Sequence, residues 1–168
     1  HMLSTVEMST IAKDNFHFRS KVILRLLVTI YAGLTLITTV ALKYAGMTWF
    51  DAATHAMSSC GTCGFSTKNL SVAFWDSPVI EGIMMAAMTI SAIHFGVLYA
   101  TITGRKNNIF RSEVVRTFIG MMVFISFAIA ISLLATDIYP TFGTALRHAS
   151  FQVVSIATTS GFATADTN

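Results

Sequence analysis

Cys60-Gly61-Thr62-Cys63-Gly64-Phe65-Ser66-Thr67 and, 97 positions further along, Ala157-Thr158-Thr159-Ser160-Gly161-Phe162-Ala163-Thr164 decide how this chain is read. In that register Ala52 lies over Ala149, Ser58 over Ser155, Thr62 over Thr159, Gly64 over Gly161, Phe65 over Phe162 and Thr67 over Thr164. An internal match concentrated in one short string marks a duplicated structural unit. In each copy the string follows a segment of helical character, 48–60 and 140–158, too short or too polar to cross a bilayer. Thr48 three residues before Asp51 offers a capping box, and Pro140 suits an opening turn.

Outside these segments the chain is apolar. Of its 168 residues 54% are hydrophobic and only 11% charged, far from the average of soluble domains. Apolar runs over 26–42, 79–102 and 118–135 are each long enough, or nearly so, to cross about 30 Å of hydrocarbon as helices. Asp76-Ser77-Pro78 and Ser112-Glu113 supply start signals, and Gly46 and Gly104 supply stops. The methionines, Met84, Met85, Met88, Met121 and Met122 among them, sit in these runs as packing or lipid-facing side chains.

The organisation expected is therefore an all-α membrane protein of helix–re-entrant pore helix–helix repeats, one complete and one truncated. Residues 1–20 form a cytoplasmic segment. The complete repeat covers 21–104, with a span over 21–45, a pore helix over 48–60, a filter over 61–66 and a second span over 78–103. A cytoplasmic loop over 105–112 leads to the truncated repeat over 113–168, with a span over 113–136, a pore helix over 140–158 and a filter over 158–163.

Charge orients this layout. Eight of the eleven basic residues, Lys13, Arg19, Lys21, Arg25, Arg105, Lys106, Arg111 and Arg116, flank the first span or join the second to the third. Lys43, Lys68 and Arg147 fall on the other side. The positive-inside bias places the N-terminus in the cytoplasm and both short segments at the outer face. Residues 1–20 lack the apolar core of a secretory signal. Basic residues separated by long apolar runs form no patch for nucleic acid.

Span, short helix, Thr-x-Gly-aromatic, span resembles the plan of a potassium-channel repeat, and the chemistry asked of such a unit is dehydration of a cation by a row of main-chain oxygens. Glycine at 64 and 161 allows backbone conformations that a Cβ opposes. Thr62 and Thr159 can add hydroxyl oxygens, and each pore helix aims the negative end of its dipole at the ion. The candidate ion-binding residues are Gly61, Thr62, Cys63 and Gly64 with Thr158, Thr159, Ser160 and Gly161, holding potassium through main-chain oxygen. No catalytic residue and no organic cofactor is indicated. Cys60 and Cys63 also form a C-x-x-C, the pattern of thiol–disulfide oxidoreductases and of half a zinc site. Neither a βαβ context nor a second ligand pair accompanies it. His94, inside the second apolar run, is a secondary candidate for proton coupling, against a hydrogen-bonded packing role. His55 is expected to bond a pore-helix or filter neighbour. For Glu81 and Asp76, helix capping and dipole compensation precede any ion site.

The stretches Gly46-Met47-Thr48-Trp49-Phe50-Asp51-Ala52, Gly64-Phe65-Ser66-Thr67, Asp76-Ser77-Pro78 and Phe151 through Phe162 resemble the second and third repeats of the TrkH/KtrB superfamily of potassium uptake proteins. The resemblance implies four repeats around one pore, each contributing a filter glycine, of which Gly64 and Gly161 are two. It implies a bacterial inner-membrane location, a homodimer of the full-length subunit and a cytosolic nucleotide-binding regulatory ring as partners. Serine in place of a filter glycine is associated there with sodium permeation, so glycine at both positions favours potassium. A sodium-permeable or cation-coupled transporter is one alternative, and a non-conducting membrane module, since two filter walls do not close a pore, is another.

Overall fold

The structure, a computed structural model, describes residues 20–102, 109, 112–136 and 139–164. The cytoplasmic segment expected over 1–20 and the loop over 105–112 fall almost entirely outside them. The described residues are helical, without strands: α1 (Ser20–Tyr44), α2 (Trp49–Cys60), a 3-10 turn (Ser71–Trp75), α3 (Pro78–Ala92), α4 (Phe95–Ile102), α5 (Glu113–Ala135) and α6 (Phe142–Ala157).

Helices α1 and α5 are long and apolar enough to cross a membrane. Both present large apolar side chains outward, including Leu36 and Ile37 on α1 and Phe124 on α5, which is 75% exposed. That is the surface hydrocarbon solvates and water does not. Thr29, Thr35 and Thr39 on α1 each donate a hydroxyl to the carbonyl four residues back, so these three donors are satisfied within the helix.

The second apolar run differs from the single span expected over 78–103. It is divided into α3 and α4, bent by 105° at Ile93–His94. No proline causes the break. Ile93 turns extended, with φ −72° and ψ 135°. His94 then opens α4: its carbonyl accepts from Val97 and Leu98, and its ring Nδ1 accepts from the Gly96 N–H at 3.1 Å. The ring thus satisfies a helix-start donor as an N-cap side chain does. A β-carbon on Gly96 would come within 3.2 Å of that nitrogen.

The start signals are used unevenly. Thr48 caps α2, its oxygen accepting from the Asp51 N–H at 3.1 Å. The start of α6 is Thr141 and not Pro140, with the Thr141 hydroxyl accepting from Thr144 N–H. Ser77 and Ser112 occupy N-cap positions without a side-chain bond.

Packing places α3 at the centre. It lies against α1, α2 and α6, while α1 pairs with α2 and α5 with α6. The main core joins Leu42, Met47, Ala52, Ala56, Val72, Ile80, Met84 and Met88 to Phe151 and Phe162 of the second unit. Ala130, Ala145 and Ala149 form the α5–α6 seam, where small side chains let the backbones approach.

Candidate functional site

The two strings of the repeat leave their helices in the same way. At the end of α2 the Cys63 N–H reaches back to the Ser58 carbonyl at 2.9 Å and the Thr62 N–H to Ser59. At the end of α6 the Ser160 N–H reaches the Ser155 carbonyl at 2.8 Å and the Thr159 N–H reaches Ile156. This paired bonding is the Schellman closure, which needs a left-handed residue just past the helix. That residue is Thr62 (φ 51°) in one copy and Thr159 (φ 58°) in the other. Glycine usually fills such a position, and a β-branched residue there is a true outlier costing on the order of 1–3 kcal/mol. The same outlier occurs twice, 97 residues apart, at the matching position of each string.

Two residues on, the backbone turns left-handed again, at Gly64 (φ 72°) and Gly161 (φ 76°), with Cys63 and Ser160 between them outside that region. In an ordinary strand successive carbonyls alternate in direction. Alternating backbone handedness brings successive carbonyls toward one side instead. The carboxyl ends of α2 and α6 lie immediately before these carbonyls, each equivalent to roughly −0.5 of an elementary charge.

The structure brings the two strings into contact. A β-carbon on Gly64 would overlap the carbonyl oxygen of Ser160, a backbone atom with no freedom to swing away. Gly161 has nothing within 4 Å of its corresponding position. At the end of α2, Gly61 and Thr62 line an open cavity of about 520 Å³, together with Tyr31, Thr35, Met57, Cys60 and Ser91.

Beyond each string, polar bonds hold matching positions. The Thr67 hydroxyl donates to Asp51 at 2.5 Å, and its counterpart Thr164 bonds His148 Nδ1 at 3.2 Å. Hydroxyls of Thr67, then Thr48, hold the Asp51 carboxyl below its ordinary range, with Lys68 adding a weaker pull from 4.0 Å. Ser155 donates to the Phe162 carbonyl at 2.8 Å, whereas the buried hydroxyl of its counterpart Ser58 has no partner among the described residues. Ala163 is held by the first unit: its N–H donates to Ser71 Oγ, and its carbonyl accepts from Ala73 N–H.

Other candidates fall elsewhere. His94 is exposed and serves as the cap of α4. Cys60 is buried and Cys63 exposed, both as free thiols. They straddle the carboxyl end of α2, whose negative dipole opposes the thiolate that oxidoreductase chemistry needs. Among the described residues no three His, Cys, Asp or Glu side chains cluster as metal ligands.

Glu81 lies in the first turn of α3, where its charge suits the helix start as expected, and the structure also gives Glu81 and Asp76 a common partner. Arg147 on α6 donates Nε to Glu81 Oε2 at 2.7 Å and Nη2 to Glu81 Oε1 at 2.8 Å, a bidentate pair, with a further bond to Asp76 Oδ1 at 2.9 Å. Asp76 itself takes a left-handed backbone at the end of the 3-10 turn. A lone acid at 81 and a lone base at 147 carry no signal that they meet across 66 residues of chain.

The family described as "TrkH: Cation transport protein" matches residues 3–168. The chain belongs to the TrkH family. It is 38% identical over 136 residues to the Trk system potassium uptake protein TrkH of Salmonella typhimurium, a match covering 80% of this chain and 28% of that one. It is 39% identical over 138 residues to the TrkH of Halomonas elongata, covering 82% and 28%. The crystal structure of the potassium transporter TrkH from Vibrio parahaemolyticus superposes with a TM-score of 0.79 at 34% identity, covering 84% of this chain and 31% of that one. The chain therefore spans a little over a quarter of the length of these curated relatives. All-helical architecture and family membership make it a membrane protein of a cation-transport family.

Proposed function

We propose that this chain supplies two walls of a potassium-selective filter, and that the parent subunit takes up potassium by passing it along main-chain oxygens of Gly61–Gly64 and Thr158–Gly161. One observation carries the reading: both strings share the left-handed pair, Thr62 with Gly64 and Thr159 with Gly161, and lie against each other at Gly64 and Ser160. A filter must replace a hydration shell with several oxygens at once, so its walls have to touch. The relatives named above as potassium uptake proteins support potassium as the cargo. The filter bounds expected from the sequence, 61–66 and 158–163, with the N-terminus in the cytoplasm of a bacterial inner membrane, complete the proposal. So do a second full-length subunit and a nucleotide-binding ring of the TrkA/KtrA kind as partners.

Sodium permeation through the same walls is the second reading, and glycine at both 64 and 161 weighs against it. The test is rubidium and sodium uptake by the full-length protein in cells lacking their own potassium importers, comparing wild type with Gly64→Ser. Rubidium preference that is lost or relaxed in the variant is the expected result. Equal uptake of both ions, unaffected by the substitution, refutes the filter assignment.

A further inference from the structure

His55 is a fully buried imidazole on α2 that ion coordination by main-chain oxygen leaves without a role. Its Nδ1 lies 2.8 Å from the Asp51 carbonyl, which can only accept, so Nδ1 carries the proton. Nε2 is then the acceptor, and the Ser66 hydroxyl donates to it at 2.9 Å. Ser66 in turn accepts the Lys68 N–H at 3.1 Å. One edge of the ring therefore holds the backbone two residues beyond Gly64.

The ring also meets the other string. The Phe162 side chain, fully buried one residue beyond Gly161, stacks on it with centroids 6.0 Å apart and planes at 26°. Trp75, from the turn that holds Ala163, meets it edge-on at 5.1 Å. Aromatic pairs in such arrangements attract beyond their buried area.

We infer that His55 is a positioning residue for both candidate filter strings, bonding Ser66 beyond one and cradling Phe162 beyond the other, so that it sets the spacing between them. The inference rests on the filter reading above. Selectivity among alkali cations depends on how large and how compliant the ring of carbonyls is. Removing the hydrogen bonds of His55 loosens the string at Ser66, and a looser ring can close around a smaller ion. Sodium therefore gains relative to rubidium.

The second unit bears Gln152 at the position of His55 and Ala163 at that of Ser66, which suggests the variants. Full-length His55→Leu, His55→Gln and Ser66→Ala proteins are reconstituted in vesicles, and the sodium-to-rubidium flux ratio is read. The ratio is expected to rise about tenfold in His55→Leu, the factor that corresponds to ~1.4 kcal/mol, within the cost of one unsatisfied buried group. Ser66→Ala should shift the same way by less. His55→Gln, which keeps an acceptor for Ser66, should restore most of the preference. A merely structural role would scale both fluxes together and leave the ratio at its wild-type value in all three, overturning the inference. If His55→Leu does not reach the vesicle, Ser66→Ala decides by the same criterion. A wild-type protein without rubidium preference refutes the filter reading itself, whereas a wild-type preference untouched by these variants overturns only the role of His55.

Discussion

Replacing Arg147 with alanine tests whether the two units are joined by charge. Glu81 is 1% exposed and Arg147 gives it two short, parallel bonds, so truncation strands its carboxyl without a partner in the core. Removing one member of a buried pair costs on the order of 3–5 kcal/mol. The third bond, to Asp76, adds little, because that side chain is 82% exposed and exposed pairs contribute about 0–1 kcal/mol. Equilibrium unfolding in mixed micelles should therefore rank Arg147→Ala far below wild type and Asp76→Ala close to it. The double replacement Glu81→Leu/Arg147→Leu removes both charges and should recover much of the loss. A cost below about 1 kcal/mol for Arg147→Ala, or an equal cost for Asp76→Ala, refutes the reasoning.

Two further perturbations address single side chains. Because hydroxyls of Thr67 and Thr48 hold Asp51 below its ordinary range, the carboxylate adds stability above its unfolded value, lost as the pH falls through the lower folded one. Thr67→Val should shift the acid-unfolding midpoint, followed by tryptophan fluorescence, to higher pH; an unchanged midpoint would show that the Thr67 bond does not matter. His94→Asn should preserve the cap on α4 while His94→Ala costs about 1 kcal/mol. If uptake by the full-length His94→Asn protein stopped responding to a proton gradient, His94 would be a proton carrier and not a cap.

Membership of the TrkH family and the all-helical membrane class were legible in the sequence, because both rest on repetition and composition. Gly64, Gly161 and the matched threonines announce themselves by register. The break at Ile93–His94 did not, since an uninterrupted apolar run reads as one span and the capping ring of His94 reads as an intramembrane charge. The Glu81–Arg147 pair was hidden for a different reason: each residue has a plausible local role, and only tertiary packing supplies the partner. The contact between Gly64 and the Ser160 carbonyl likewise joins positions that the repeat aligns to Gly161 and Cys63, not to each other.

Thr67 and Thr164 hold one post in the two units while facing a carboxylate at 51 and an imidazole at 148. A hydroxyl can serve either, because it donates to one and can donate or accept with the other. The two units share the versatile half of the pair and differ in the specialised half. A duplicated membrane scaffold fastened this way can exchange acid for base at this joint in a single step, altering local charge without first dismantling it.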